Sequence, residues 1–238
     1  MVTMSPDSDT TITFGEASGS SYAIYGGTGN TYYYRVGYIT KVEIGKNVDK
    51  LRAYVFYRCI NLQSITLPKD TKLQGYGYTF DYCMSLKHIT LPTGYNGIGT
   101  DNTTSCYVFY YNAALKSVSI PKGAAFIGKA AFQYCYSLKR VSIPSDIVRV
   151  RDNAFSGCYS LRKANIPQGA TIIYNGSFNY GYGMRSYVVP STVTELQSNC
   201  FANNWWLNEL HMKPTTPPTL ASGVFTNLSA SSFKIFVP

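Results

Sequence analysis

Short runs in which apolar and polar residues alternate recur along the chain, and most of them end on proline. One such run is Val141–Ile143, which Pro144 follows directly. Alternation with a period of two is typical of a strand that buries one face. Proline ends the strand because it has no N–H with which to continue a hydrogen-bonded ladder. The pattern therefore predicts a series of short, half-buried strands.

These strands belong to a longer repeat of the form F-x-x-C-x-x-L-x-x-V-x-I-P, which Phe132 begins and Pro144 ends. The repeat phenylalanines lie at positions 56, 80, 109, 132, 155, 178, 201 and 225, so the spacings are 24, 29, 23, 23, 23, 23 and 24 residues. The spacing of 29 contains an insertion, residues 93–105, whose Gly, Asn and Thr residues predict a surface loop. One strand and one turn cannot bury an apolar face alone, so the repeats are predicted to stack into a solenoid.

Within each repeat, the residues around the phenylalanine predict one short helical turn. Phe132 and Cys135 are three residues apart and would share one face of such a turn. A second apolar pair with the same spacing, such as Ile147 and Val150, precedes the next phenylalanine. Stacking about 4.8 Å apart would bury continuous columns of these side chains. The regular spacing predicts strands that are parallel, in register and in sequential order, at Leu62–Leu67, Leu86–Leu91, Leu115–Ile120, Leu138–Ile143, Leu161–Ile166 and Met184–Val189.

The repeat, with its L-x-x-[IV]-x-[IL]-P and A-F-x-x-C motifs, resembles the BspA-like leucine-rich repeats over residues 39–238. The resemblance implies a leucine-rich-repeat solenoid with a parallel β-sheet on one face and short helical turns opposite. It also implies a bacterial or protozoan protein of the cell surface, or a secreted one, that acts in adhesion.

The two ends of the chain depart from the repeat. Residues 1–38 match nothing in it and are predicted to form an N-terminal cap with short strands at Thr11–Phe14 and Thr31–Tyr34. Residues 39–238 would then hold about nine strand rungs, the last within Phe233–Pro238. A bare solenoid end exposes apolar surface and a sheet edge. We therefore expect a chain cut from a longer protein, with further repeats or a partner chain covering the C-terminal end. Residues 1–6 show neither the basic nor the apolar region of a signal peptide.

Composition and charge narrow the classes of protein. Hydrophobic residues make up 45% and charged residues 14%, and no apolar run reaches 18 residues. These values exclude a transmembrane helix, a coiled coil and a disordered chain. The net charge is +9, and residues 102–194 contain ten basic residues against two acidic ones, Asp146 and Asp152. Such a basic region permits an acidic polysaccharide, a nucleic acid or an anionic lipid as partner.

Neither the cysteines nor the histidines form a recognisable site. There is no C-x-x-C motif, and no histidine lies at ligand spacing from a cysteine, so zinc and other metals are not expected. The four cysteines that share one repeat position are predicted to be buried free thiols: Cys59, Cys83, Cys135 and Cys158. His88 and His211 lie far apart on predicted strands, and no nucleophile accompanies the neighbouring Glu209. We predict no catalytic residue and no cofactor.

Two columns of repeated side chains are the candidate ligand-binding residues. The basic column follows the repeat leucine and comprises Lys87, Lys116, Lys139, Arg162 and Arg185. Arg140 and Lys163 would add to this column, with Arg149 and Arg151 nearby in sequence. The aromatic column follows the cysteine position and comprises Tyr136, Tyr159, Tyr182 and Trp205, beside a second column of Tyr82, Tyr111, Tyr134 and Tyr180. The basic column could instead be a solvated position that tolerates lysine, and the rings could instead cover apolar atoms of their neighbours.

The sequence thus predicts a non-catalytic binding or adhesion module that recognises a host protein or glycan, acidic glycans included. A virion or tail-type host-recognition protein could use the same scaffold. A glycan-active enzyme and a polyanion-binding protein rank lower. Nucleic-acid binding ranks lowest, because the repeats lack the modules usual in single-strand binders.

Overall fold

The computed structural model describes residues 2–3, 11–14, 22–24, 39–44, 48–51, 53–69, 72–73, 77–93, 96–102, 104–229 and 232–238. They form a parallel β-solenoid with about 23 residues in each turn. A typical turn contributes a strand to each of two columns and one tight turn to a third. None of the described residues forms a helix that is long and apolar enough to cross a membrane.

The first column contains the strands that the alternating pattern predicted. Numbered along the chain, its strands are β2 (Thr11–Phe14), β4 (Lys41–Ile44), β6 (Ser64–Thr66), β8 (His88–Thr90), β9 (Ser117–Ser119), β11 (Arg140–Ser142), β13 (Lys163–Ala164), β15 (Ser186–Val189), β17 (Glu209–Met212) and β19 (Lys234–Phe236). β1 (Val2–Thr3) pairs antiparallel with β2 at the N-terminal end. The predicted strand at Thr11–Phe14 thus continues the column in parallel register with β4. The one predicted at Thr31–Tyr34 lies outside the described residues.

The second column is a set of very short parallel strands that sequence analysis did not predict. Its strands are β3 (Tyr22–Ile24), β5 (Val48–Leu51), β7 (Lys72–Leu73), β10 (Phe126–Ile127), β12 (Arg149–Val150), β14 (Ile172–Ile173), β16 (Glu195–Leu196) and β18 (Thr219–Leu220). Ile98, after the insertion begins, joins this column through a parallel bridge to Ile127. The apolar pairs between each proline and the next phenylalanine supply its buried residues, as Ile147 and Val150 do.

The predicted short helical turns are wrong, because the described residues around each phenylalanine form hydrogen-bonded turns and no helix. Ala130 and Tyr134 flank Phe132 and have φ values of 57° and 62°. Residues with positive φ interrupt a right-handed helix. Instead, the Phe132 N–H donates to the Ala154 carbonyl at 2.9 Å, and the Tyr134 N–H donates to the Ser156 carbonyl at 2.9 Å. The turns therefore form a third column that is hydrogen-bonded from one turn of the solenoid to the next.

The core is a stack of the repeat phenylalanines together with the cysteine position. The rings of Phe109 and Phe132 are buried and lie 5.1 Å apart with planes 3° from parallel. All six cysteines are buried and free, as predicted for the four in one column. The Cys135 thiol donates to the Phe109 carbonyl at 3.1 Å, and the Asn112 amide donates to the Phe80 carbonyl at 2.6 Å. Cysteine and asparagine can both occupy this position because each is a small donor. Burial raises the pKa of Cys158 to about 12.

The predicted parallel, in-register and sequential pairing is confirmed from β8 to β13, but it is wrong between Leu62–Leu67 and Leu86–Leu91 and between Leu161–Ile166 and Met184–Val189, which form no ladder. Ladder pairing is interrupted between β6 and β8 and between β13 and β15, and the second column is also interrupted between β12 and β14. At the second interruption Tyr187 is buried in β15, where the adjacent first-column strands place Ala164 and Leu210. The Phe155–Phe178 and Phe178–Phe201 centroid distances widen to 5.8 and 6.1 Å there. We name this interruption the seam, and attribute it to the bulk of the Tyr187 ring.

Candidate binding surface

The predicted aromatic column is one continuous stack of rings, which we call the aromatic ladder: Tyr136, Tyr159, Tyr182 and Trp205. The centroids of the first and second rings lie 4.9 Å apart, with planes 19° from parallel. The second and third lie 4.9 Å apart at 13°, and Tyr182 and Trp205 lie 5.2 Å apart at 32°. These separations are close to the distance between neighbouring strands, because each ring occupies the same position in successive turns.

The earlier turns extend the aromatic ladder into a longer exposed apolar ridge. The equivalent positions there hold Ile60, Met84 and Ala113. Ile60 is 43% exposed and Met84 is 41% exposed, although both side chains are large and apolar. The sequence pattern did not indicate them, because only the aromatic members of this column share a residue type. A row of apolar side chains exposed to solvent is typical of a contact surface for a partner.

The ladder presents ring edges and hydroxyl groups, because each ring covers the face of its neighbour. Partial burial, followed by the neighbouring Tyr182 hydroxyl, raises the pKa of Tyr159. Partial burial also raises the pKa of Tyr182. Both hydroxyls therefore remain protonated at neutral and mildly alkaline pH. A protonated phenol donates and accepts hydrogen bonds, so the ladder can bind polar as well as apolar groups.

The second aromatic column touches the ladder from one side. Tyr82 and Tyr111 stack at 5.1 Å, and Tyr111 meets Tyr136 edge-on at 5.3 Å. Tyr180 meets Tyr182 edge-on at 6.0 Å. Five further tyrosines in the first turns join this network through ring contacts: Tyr54, Tyr57, Tyr78, Tyr107 and Tyr110. The sequence pattern did not indicate these five, because they occupy repeat positions outside the two predicted aromatic columns.

Many of these tyrosines have a backbone conformation that tyrosine disfavours. Among the described residues, seven tyrosines have positive φ: Tyr54, Tyr78, Tyr82, Tyr107, Tyr111, Tyr134 and Tyr180. In residues other than glycine, asparagine and aspartate, the left-handed region costs about 1–2 kcal/mol per residue. Strained conformations of this kind cluster at functional sites. The tyrosines therefore mark the turn column as a surface where the side chain matters more than backbone preference.

The predicted basic column is exposed throughout, and we call it the basic ladder: Lys87, Lys116, Lys139, Arg162 and Arg185. Backbone hydrogen bonds link the first four members in order. The N–H of Lys139 donates to the Lys116 carbonyl at 3.1 Å, and that of Arg162 donates to the Lys139 carbonyl at 2.9 Å. Arg185 lies beyond the seam. None of the five forms an ion pair with a residue that the structure describes, so their charges are available to an anionic partner.

Arg140 and Lys163 stand in register beside the basic ladder, on β11 and β13. Arg149 and Arg151 do not join it: Arg149 lies in β12 of the second column, and Arg151 directly follows that strand. Both pair with Asp101 of the insertion, and the Arg151–Asp101 distance is 2.7 Å. Burial alone would raise the pKa of Asp101, but hydrogen bonds from the two arginines lower it. These arginines therefore hold the insertion against the solenoid.

Asp81 is a buried carboxyl group at the repeat position that Tyr57 and Tyr110 occupy in the neighbouring turns. It is 3% exposed, and its Oδ1 atom has no hydrogen-bond partner. Burial raises its pKa to about 7, although the Arg58 charge acts in the opposite direction. The Arg58 guanidinium lies over the rings of Tyr57 and Tyr82, at 5.3 and 5.5 Å from their centroids. Charge and aromatic surface thus meet within the first turns.

The histidines remain separate. His211 contacts Glu209 at 3.1 Å, and His88 contacts the Ser117 hydroxyl at 2.8 Å, several turns away. Among the described residues, no group of three or more His, Cys, Asp or Glu side chains is arranged to hold a metal ion.

Comparison with known proteins identifies the repeat. A family model described as a BspA type leucine rich repeat region, in six copies, matches residues 28–106 and 102–232. A leucine-rich repeat protein from Bacteroides ovatus ATCC 8483 is 17% identical with a TM-score of 0.54, over 99% of this chain and 69% of that chain. This likeness shows the fold. No curated protein matches the chain.

Two further solved structures are similar at lower scores. The leucine rich repeat protein of T. pallidum is 18% identical with a TM-score of 0.48, over 87% of each chain. A leucine rich cell surface protein from Faecalibacterium prausnitzii A2-165 is 14% identical with a TM-score of 0.36, over 100% of this chain and 94% of that chain.

Proposed function

Because the chain belongs to the family of BspA-type leucine-rich-repeat proteins, we propose that it is a non-catalytic binding module of a cell-surface or secreted protein and acts in adhesion. Its partner is an extracellular protein or glycan, acidic glycans included. The solenoid fold of this family is typically non-catalytic.

The observation that carries the proposal is the pairing of two ladders along one segment of the repeat. Tyr136 precedes Lys139 by three residues, and Tyr159 precedes Arg162 by the same interval. Both ladders advance by one turn of the solenoid at each step. A solenoid presents an extended surface on which one ligand can contact several successive repeats. An extended chain molecule that carries hydroxyl or amide groups and negative charges has the chemistry to match both ladders.

The two ladders have different roles in this proposal. The basic ladder attracts an acidic partner, and this contribution weakens with salt because exposed charges are screened over about 8–10 Å at physiological ionic strength. The aromatic ladder supplies short-range contact with rigid side chains that lose little entropy on binding. Binding that requires the rings and responds in part to salt is the expected behaviour of the combined site.

The test begins with an array of extracellular glycans and matrix proteins that identifies a ligand. That ligand is then titrated at low and high salt against the double variant Tyr159→Ala/Tyr182→Ala. We expect the variant to lose most of the affinity at both salt concentrations. Tyr174→Ala, which removes a half-buried ring from the second-column side of the solenoid, is the control and should bind normally. Unchanged binding by the double variant would leave the aromatic ladder as structural cover.

The contribution of charge is tested with Lys139→Ser/Arg162→Ser, which should weaken binding at low salt and have little effect at high salt. Lys122→Ser/Lys213→Ser removes the same net charge from exposed positions outside the basic ladder. If the two pairs weaken binding equally, net charge rather than the basic ladder attracts the ligand.

The proposal also includes further repeats or a partner chain at the C-terminal end. Leu220, Ile235 and Val237 are 60%, 48% and 73% exposed and line an apolar cavity of about 540 Å³. Exposed apolar surface of this kind is unfavourable in water. Replacing Ile235 and Val237 by serine should reduce binding of a hydrophobic dye without lowering the melting temperature, and an unchanged dye signal would contradict this part of the proposal.

A further inference from the structure

The aromatic ladder ends at Trp205, whose ring is the last in the stack. Its centroid lies 5.2 Å from that of Tyr182. The corresponding position in the next turn holds Ser229, which has no ring to cover Trp205 from the other side. Trp205 is accordingly 58% exposed. An aromatic face that the other rings of the ladder lack is therefore open to a ligand at this end.

Trp206 adds a second ring beside this open face. The preceding turns hold small side chains at its repeat position, such as Ser160 and Gly183. Trp206 is 60% exposed. Two large rings exposed side by side are unfavourable in water unless a ligand covers them.

The two rings border an open cavity that also has polar groups. The described residues around its volume of about 600 Å³ are Trp205, Trp206, Asn227, Leu228 and Ser229. Ligand pockets in proteins commonly have about 300–1,000 Å³. The Asn227 amide donates to the Asn203 side-chain oxygen at 2.7 Å, which holds the amide in a defined position. The cavity thus combines apolar faces with an oriented amide and a hydroxyl.

The basic ladder does not reach this cavity. The repeat position of Arg185 is taken in the next turn by Asn208, whose side-chain oxygen accepts a hydrogen bond from the Ser232 hydroxyl at 3.2 Å. At this end of the solenoid, uncharged amide and hydroxyl groups therefore replace the positive charges of the basic ladder. These surroundings favour a ligand without charge.

We propose that Trp205, Trp206, Asn227 and Ser229 form a subsite for the pyranose ring of a neutral saccharide. A pyranose has an apolar face of C–H groups and a rim of hydroxyls. The C–H face packs against an indole ring, and the rim exchanges hydrogen bonds with the Asn227 amide and the Ser229 hydroxyl. The inference rests on the proposed binding function and assigns the ligand class at one end of the same ridge.

The experiment uses the intrinsic fluorescence of the two tryptophans, since the chain contains no others. The whole chain is titrated with neutral hexoses and N-acetylhexosamines, as monosaccharides and as short oligomers, with excitation at wavelengths that tyrosine does not absorb. We expect a saturable change in intensity for at least one neutral sugar, and an apparent affinity that is the same at low and high salt. No saturable change with any sugar of the panel would overturn the proposal.

Two variants separate the subsite from other binding. Trp206→Ala leaves Trp205 as the reporter and should weaken binding by about tenfold or more, which corresponds to about 1.4 kcal/mol. Trp206→Phe retains a ring and should restore part of the affinity. Sugar binding that is unaffected by Trp206→Ala contradicts the proposal. If the ligand found on the array still binds and still requires Tyr159 and Tyr182, the proposed adhesion function stands even when the saccharide subsite is disproved.

Discussion

The turns of the N-terminal half and those of the C-terminal half share one backbone conformation and differ in side chains. At the positions two residues before and after each repeat phenylalanine, the turns of residues 53–138 hold Tyr54, Arg58, Tyr78, Tyr82, Tyr107, Tyr111, Ala130 and Tyr134, all with positive φ; the positive-φ glycines of this half, Gly77, Gly99 and Gly123, lie at other positions. In residues 153–229 the same positions hold Asn153, Gly157, Gly176, Tyr180, Asn199, Asn203, Gly223 and Asn227. Seven of these eight C-terminal positions therefore hold asparagine or glycine, which a left-handed conformation favours, whereas six of the eight N-terminal positions hold tyrosine.

The comparison separates what the fold requires from what the surface requires. Glycine and asparagine satisfy the turn at little conformational cost, and Asn203 also donates a side-chain hydrogen bond to Asn179 at 3.0 Å. A tyrosine there loses about 1–2 kcal/mol in backbone free energy. Each aromatic pair regains about 0.5–1.5 kcal/mol. Tyr111 takes part in four such pairs and Tyr78 in three, so ring contacts can offset the backbone cost of the left-handed conformation.

The largest effect is expected in the core that both halves share. Phe132→Ala should lower the free energy of unfolding by about 3–5 kcal/mol, because it leaves a cavity in the phenylalanine stack. Lys139→Ala, on the exposed side of the same turn, should change it by less than about 0.5 kcal/mol. Denaturant unfolding of the two variants measures the difference. Comparable losses would mean that the buried and exposed faces have been assigned the wrong way round.

A smaller effect is expected from Asp81, which belongs to the N-terminal half. Its pKa of about 7 exceeds the ordinary value of 3.8, so the folded protein binds more protons than the unfolded chain between these values. The free energy of unfolding should therefore fall as the pH rises from about 4 to about 7, by about 2 kcal/mol after allowance for partial solvation. Asp81→Asn should flatten this dependence in urea unfolding curves measured across the range.

Asp146→Asn is the control for this measurement, because Asp146 is exposed and its carboxylate accepts a hydrogen bond from the Gly123 N–H at 2.9 Å. It should leave the slope between about pH 4 and pH 7 in place. If the free energy of unfolding of the unmodified protein does not change between about pH 4 and pH 7, the carboxyl group of Asp81 is not buried as described.

The smallest effects exchange residues between the halves. Asn203→Ala removes a residue suited to positive φ and its amide contacts, and should cost about 1–2 kcal/mol. Tyr111→Asn relieves the backbone but loses ring contacts, and should change stability by less than about 1 kcal/mol in either direction. Thermal unfolding of both variants tests the comparison directly. A loss of about 3 kcal/mol or more for Tyr111→Asn would show that the tyrosines serve the core.

The repeat spacing of the apolar residues was sufficient to predict the first column, because one residue of slippage would expose Val141 and bury Ser142. The second column could not be predicted in this way, since strands of two residues such as Arg149–Val150 are too short to show alternation. The turn was misassigned because the interval between Phe132 and Cys135 suits both a helix and a tight turn. Tyrosine at the positive-φ positions removed the glycine and asparagine signal that would have indicated the turn.

The candidate site was predictable only where one residue type recurs at one repeat position. Tyr136, Tyr159 and Tyr182 satisfy that condition and form the stack. Trp206 occurs once, and its importance depends on what surrounds it in space. The pairing of Arg151 with Asp101 joins residues 50 positions apart, so no local pattern could indicate that this charge is neutralised.

The seam at Tyr187 gives the solenoid a mechanical consequence. Both strand columns lack ladder pairing there, while the turn column remains bonded across it, as in the Phe155 N–H to Ser177 carbonyl contact at 2.9 Å. Hydrogen bonds on one side only make the seam a hinge between the turns before it and the turns after it. Under tension along the solenoid axis, the turns on the two sides of the seam should separate there before the other turns unfold. The aromatic ladder crosses the seam between Tyr159 and Tyr182 and would bend at this hinge.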